Sequence, residues 1–486
     1  MKRQISTQRQ PWLRTAVYSF MTLSVAVIVT LLMLVVLGYQ FNKKDGRIEQ
    51  GGLLQFSSVP SGAAVTLDGS VFGSVTSTKS TVDTGSHYVQ YNLANYRTWQ
   101  KTINIVAGQI GWLSYARLIP KTVTPQTLHE YAALTGALAT PSRNYMLLHE
   151  AADSPAFTLV NIQGDTLRYD TLTLPATSYT APTAGKTQSF TLDSWSANDN
   201  AVLIRHTYDD TKAEWVLLNR SAPEKSINLN TTYGITPSKA QFAGSGDRLL
   251  YVRTDNTVRR INLDEQTLSR PLATNVDNFT AYDEKTIIYS TTPDDKAQRT
   301  VSYAAVDVTD PVVLDSYPAD GQPLFAAMGS YFNQHYVAIV HGQSMVIRTG
   351  SLPTLTDKGS LKTFATQTIP AGISNFEISR NNRFFMAQLP DGYASFDIEL
   401  HKYDKTTWET QPTAPRQINW LDDYMLWSDY GGQLRLYEFD GANQQTLMPA
   451  AEGYVASLSS NDKYIYDIAK TDKGYNLQRA LLILQN

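Results

Sequence analysis

Seven histidines, His87, His129, His149, His206, His335, His341 and His401, and 44 acidic side chains are the groups from which an acid–base or metal site would have to be assembled. Only His335 and His341 lie close in sequence, and six residues along a strand span about 20 Å. That is too far for one metal ion, so both are expected at a strand edge or turn. The acidic pairs Asp209-Asp210, Asp294-Asp295 and Asp422-Asp423 fall among turn-forming residues, where a carboxylate bonds its own backbone. The sequence contains no G-x-S-x-G elbow, H-E-x-x-H helix, phosphate-binding G-x-x-x-x-G-K-[ST] or EF-hand loop. No catalytic residue, metal ligand or cofactor is therefore assigned. Trp195, Tyr282, Tyr331 and Trp420 fall near the ends of expected inner strands. There they could stack on sugar rings or peptide side chains, or serve packing between neighbouring sheets.

Those aromatics depend on what surrounds them. The 486 residues exceed one domain, and a net charge of −3 gives no field to attract nucleic acid. There is no cysteine, so cores must hold by packing alone. The 28 Tyr, 16 Phe and 8 Trp favour a mostly β chain.

Residues 16–41 carry no charge and are nearly all apolar. This run predicts a transmembrane helix retained as an anchor, since a cleaved signal has a shorter apolar core and a small-residue cleavage pattern. Lys2, Arg3, Arg9 and Arg14 precede the run without an acid, whereas Lys43, Lys44 and Arg47 are mixed with Asp45 and Glu49. The bias predicts residues 1–15 as a cytoplasmic tail and places the bulk outside the cytoplasm, in the cell envelope, with the bilayer as the first partner. Residues 42–52 read as a polar linker.

From residue 53 to 120, short β-branched and aromatic runs alternate with Gly, Pro, Ser and Asp. Pro60-Ser61-Gly62-Ala63, then Val65, Leu67-Asp68-Gly69, Gly73, Thr84-Gly85-Ser86-His87 and Tyr96 resemble the PEGA domain, with Ser61 in place of the glutamate. The resemblance implies a small β-sandwich in an envelope setting, with Pro60, Ser61, Gly62, Ala63, Asp68 and Gly69 in structural roles. Asp68-Gly69 is expected as a tight hairpin turn.

Residues 121–486 repeat a degenerate unit of a Ser, polar turn residues and an apolar run. Examples are Ser196-Ala197-Asn198-Asp199-Asn200 before Ala201-Val202-Leu203-Ile204 and Ser379-Arg380-Asn381-Asn382-Arg383 before Phe384-Phe385-Met386-Ala387. A first copy starts at Ser142-Arg143-Asn144 and a last at Ser459. Eight copies from Asn144 to Asp462 span 318 residues in seven intervals, a mean near 45. That spacing predicts a β-propeller of eight blades, with seven as the alternative, closed by a strand near Lys121 to Leu128. The copies resemble WD40-like and TolB-like blades, a likeness of fold only.

The composition and motifs point to an anchored binding or scaffolding protein whose propeller takes an envelope protein or glycan. A hydrolase or lyase acting on envelope glycans or peptides is the alternative. Nothing in the sequence specifies an oligomeric state.

Overall fold

The computed structural model describes residues 10–36, 38–42, 46–308, 310–352, 354, 357, 359–408 and 418–484. The chain divides into two compact units, 1–122 and 123–486. Lys2, Arg3, Arg9, Lys43, Lys44 and Asp45 lie outside the described residues.

Helix α1, Gln10–Val36, carries the apolar stretch. Its segment Arg14–Val36 is long and apolar enough to cross a membrane, and none of that span is buried by protein. At about 1.5 Å per residue it covers roughly 35 Å, against about 30 Å of hydrocarbon. Its hydroxyls turn inward: Thr22, Ser24 and Thr30 donate to the carbonyls of Tyr18, Phe20 and Ala26 at 2.9, 2.9 and 2.8 Å. Each polar group is thereby satisfied inside the helix, as an apolar medium requires.

The helix ends five residues earlier than the uncharged run. Gly38, with φ +79°, sits in the left-handed region, and its N–H bonds the Val35 carbonyl at 3.0 Å. Glycine adopts that conformation without cost and so terminates the turn. Tyr39–Asn42 then pairs with Arg47–Gln50 as a hairpin, so the segment expected as the end of the helix and a loose linker is a second, short β-element.

The rest of the first unit is a β-sandwich. One sheet has the order Thr78–Val82, Gly52–Val59, Ile110–Arg117, and the other Ser70–Val75, Ala64–Leu67, Gly85–Asn92, Trp99–Ile105. Alternate residues of Gly52–Val59 are buried, the period of a strand with one face on a core. Tyr91 stacks on Trp99 at 4.7 Å and donates its hydroxyl to the Leu113 carbonyl at 3.0 Å, tying the sheets together.

The second unit contains, among the described residues, eight four-stranded antiparallel sheets in chain order. They begin with Gly136–Ala139, Gln188–Trp195, Lys239–Phe242, Val276–Ala281, Leu324–Tyr331, Asn375–Ile378, Asn419–Trp420 and Ser457–Leu458, called here sheets one to eight. In each, the strand after the first turn is the apolar run seen in the sequence. It is apolar throughout because both faces are covered. In Tyr145–His149, Leu147 faces sheet two, whereas Met146 and Leu148 pack with Ile468 and Leu477 of sheet eight. Shared cores likewise join sheets two and three, three and four, four and five, five and six, and six and seven. Sheets seven and eight are joined by Gln478 Nε2, which donates to the Pro449 carbonyl at 2.7 Å.

Pro125–Tyr131 supplies the fourth strand of sheet eight by pairing with Gly474–Leu481. The first strand of the unit therefore closes on its last, and the arrangement is a β-propeller.

The repeated hydroxyl has one mechanical job. Ser196, Ser379 and Ser459 accept from the backbone N–H five residues on, at 2.9, 3.0 and 3.0 Å, while their own N–H bonds that residue's carbonyl at 2.8 Å in each case. In sheet one this role falls to Thr140, which accepts from Tyr145 N–H at 3.1 Å. Ser142 is thus two positions out of register, because only the residue five before the strand can close the turn. Ser379 and Ser459 are almost fully buried, so Ser379→Ala or Ser459→Ala strands a buried donor. Each should lower stability by about 1–3 kcal/mol in chemical denaturation.

Candidate functional site

The first strands of the sheets surround the channel of the propeller. A cavity of about 630 Å³ lies against those of sheets three to six, lined by Lys239, Asn278, Tyr282, Asp283, Ser330, Asn375, Glu377 and Asn382 among apolar neighbours such as Phe279 and Phe325. Close packing of sheets five and six shapes one wall: a Cβ on Gly329 would stand 2.3 Å from Ile378 Cδ1. Lys239 Nζ donates to Asn278 Oδ1 at 3.0 Å and to the Phe279 carbonyl at 2.7 Å.

Charge is poorly solvated in this region. Burial raises the Glu377 carboxyl to about 7, only partly opposed by a hydrogen bond from Asn375. Burial also lowers the Lys239 ammonium, with Arg253 adding to the effect and Asp193 opposing it. Asp193, on the first strand of sheet two, is raised by burial, opposed first by the hydrogen bond from Ser194 and then by Lys239 and Arg205 nearby. Near neutral pH Glu377 can offer either an O–H donor or a carboxylate.

The face carrying the first turns is tied across the ring. Arg380 of sheet six donates to the Pro141 carbonyl of sheet one at 2.8 Å, and Arg143 pairs with Asp462 of sheet eight at 2.7 Å. Asn198 and Asn200 donate to Asp247 at 3.1 and 2.7 Å. In the Asp422-Asp423 pair, Asp422 accepts from the backbone of Tyr424 and Met425 at 2.9 and 2.8 Å.

Of the four aromatics singled out in the sequence, Tyr282 lines the cavity, with its hydroxyl 2.9 Å from His335 Nδ1. Trp195 is buried between sheets one and two, its indole N–H directed at the Leu138 carbonyl at 3.4 Å. Tyr331 packs between sheets five and six and donates to Glu399 at 2.6 Å. Trp420 packs between sheets six and seven, on Phe384. Sheet-to-sheet packing occupies these three because at their positions the side chain faces the neighbouring sheet.

His335 and His341 occupy opposite ends of Gln334–His341, and His341 Nε2 lies 3.2 Å from Asp320. Among the described residues no group of three His, Asp or Glu could hold a metal ion.

The cavity residues Asn375 and Glu377 were not singled out in the sequence. Glu377 stands two residues before the turn Ser379, between Phe376 and Ile378. Asp193 stands three before Ser196, offset by the bulge at Leu192–Ser194. An acid inside an inner strand, just ahead of the turn hydroxyl, is the signal that could have marked them.

In the first unit, Gly62 has φ +91° and Ala63 is fully buried, its N–H bonded to Thr76 Oγ1 at 3.0 Å, while Ser61 is exposed. Pro60 to Ala63 thus turns the chain from one sheet to the other. Asp68 and Gly69, at φ +50° and +80°, form the hairpin turn, and Asp68 also bonds His87 Nδ1 at 2.7 Å.

The chain is thus a β-propeller protein with an apolar N-terminal helix and a small β-sandwich between them in sequence. Residues 52–118 match the PEGA domain family, and the sandwich is that domain. No curated protein sequence matches the chain. Among solved structures it is similar to apo AztD from Citrobacter koseri, at 11% identity over 80% of this chain and 96% of that one, with a TM-score of 0.38. It is also similar to oligogalacturonate lyase from Vibrio parahaemolyticus, at 8% identity over 74% and 98%, with a TM-score of 0.38. At such values neither likeness bears on ligand or activity.

Proposed function

We propose that this chain is a membrane-anchored binding or scaffolding protein of the cell envelope, whose bulk stands outside the cytoplasm and whose propeller takes a protein or glycan. The observation that carries the reading is the channel-side cavity. Its volume falls within the range of about 300–1,000 Å³ usual for ligand pockets. Its wall combines aromatic and aliphatic surface with amides, hydroxyls and one titrating carboxyl, the mixture that recognises polyols and peptide groups.

The test is to screen the full chain in lipid nanodiscs against envelope glycans and peptides. A ligand that uses protonated Glu377 as a donor should bind about tenfold more weakly at pH 8 than at pH 6, a difference of about 1.4 kcal/mol. Glu377→Gln stays neutral and should flatten that dependence. Absence of binding to every envelope component tested would defeat the proposal.

The same carboxyl favours a second reading, a hydrolase or lyase acting on glycans or peptides, because a group titrating near 7 suits general acid catalysis. Turnover by the wild type, abolished in Glu377→Gln, would promote it.

The direction of insertion follows from the charge bias across α1. Protease added to spheroplasts should digest the second unit. Protection until lysis would reverse the assigned orientation.

A further inference from the structure

We infer that the helix-proximal end of the PEGA domain is a second membrane-contacting element, a small apolar tip seated at the lipid headgroup boundary. This rests on the reading of α1 as a membrane span and adds a surface to it.

Three backbone hydrogen bonds run from the helix end into the domain. Gly38 N–H bonds Val35, Gly51 N–H bonds Gly38 at 3.0 Å, and Gly108 N–H bonds Gly51 at 2.9 Å. The turn of residues 106–109, between the strands Trp99–Ile105 and Ile110–Arg117, is thereby fastened to the foot of the helix. Gly52 permits the approach, since a Cβ there would meet Ile105 Cγ2 at 2.2 Å and the Gln109 carbonyl at 2.9 Å. The interfacial layer beyond the hydrocarbon is roughly 5–8 Å deep on each side. A turn two hydrogen bonds from Gly38 lies within reach of it.

The side chains presented there suit lipid rather than water. Val106 is 57% exposed, Ile110 47%, Ile48 of the basal hairpin 62% and Trp112 42%. Ile110 and Trp112 share the outward face of one strand, about 7 Å apart along it. That places an aliphatic group nearest the helix foot and an indole one step farther out, the order in which hydrocarbon gives way to headgroups. A protein partner would not need this gradient to coincide with the point where an apolar helix leaves the domain.

The absence of cysteine makes the test clean, because every introduced thiol is unique. Full-length Val106→Cys, Ile110→Cys, Val75→Cys and Ile28→Cys, each carrying an environment-sensitive fluorophore, are reconstituted in phosphatidylcholine–phosphatidylglycerol vesicles containing nitroxide-bearing lipid. Val75 is also apolar and exposed, but it pairs with Ala64 at the opposite end of the domain. The 106 and 110 probes should be quenched about twofold or more by nitroxides near the headgroups, the 28 probe by nitroxides deep in the chains, and the 75 probe by neither. Quenching at 28 with 106 and 110 behaving like 75 overturns the tip and leaves the anchor standing. No quenching at 28 removes the anchor and the tip with it. Thermal melting unchanged from the wild type confirms that each labelled variant is folded.

Discussion

Replacing Asp397 by alanine is expected to destabilise the second unit by about 3–5 kcal/mol, among the largest effects of any single side chain here. Arg383 and Asp397 are both almost wholly buried in sheet six. Arg383 donates to the two carboxylate oxygens at 2.9 and 2.7 Å, and Asp397 also accepts from the backbone N–H groups of Glu399 and Leu400 at 2.9 and 3.2 Å. Arg383 reaches Glu399 at 2.6 Å, and Glu399 accepts from Tyr331 of sheet five. Removing the carboxylate leaves a buried guanidinium without its bidentate partner and takes the acceptor from the backbone N–H groups of Glu399 and Leu400. The double substitution Arg383→Met with Asp397→Leu removes both charges and should recover much of the loss, as an apolar pair of similar volume often does. Denaturant unfolding of the two variants side by side decides the matter; equal losses would mean that the pair contributes through packing alone.

The second large effect is a dependence on pH. Asp467 lies in sheet eight with both carboxylate oxygens buried and without a hydrogen-bond partner of normal geometry. The neighbouring Gln478 amide donates to the Pro449 carbonyl at 2.7 Å. Burial raises the Asp467 carboxyl to about 8, with Gln478 opposing slightly. The folded state therefore holds a proton that the unfolded chain has released above about pH 4. Stability contributed by that proton is whole below pH 4 and falls with a slope of up to about 1.4 kcal/mol per pH unit until about pH 8. Asp467→Asn carries no such proton and should raise the melting temperature at neutral pH while removing that part of the slope. A melting temperature of Asp467→Asn that tracks the wild type from pH 4 to 8 would contradict the assignment.

The architecture was legible wherever a local pattern has a local cause. Runs such as Met146–Leu148 and Phe384–Ala387 announce strands covered on both faces, and a hydroxyl five residues ahead of a strand announces the turn that starts it. What depends on the neighbouring sheet was not legible. Trp195 and Trp420 stand at inner-strand ends as expected, but their direction is set by the sheet beside them. Ser142 and Thr140 are separated only by which oxygen reaches the Tyr145 N–H. The end of α1 is decided by one left-handed glycine inside an uncharged run, which hydropathy cannot register. Arg380 and Pro141, 239 residues apart in sequence, meet only because the ring brings them together.

The pairing of Pro125–Tyr131 with Gly474–Leu481 also governs assembly. Thr127 and Asn476, hydrogen-bonded at 3.3 Å, are 349 residues apart. During synthesis the opening strand must wait, with its ladder groups unanswered, until nearly all of the unit has emerged. Such distant pairing makes closure slow, and the unfinished propeller will need shielding by folding helpers in whichever compartment receives it.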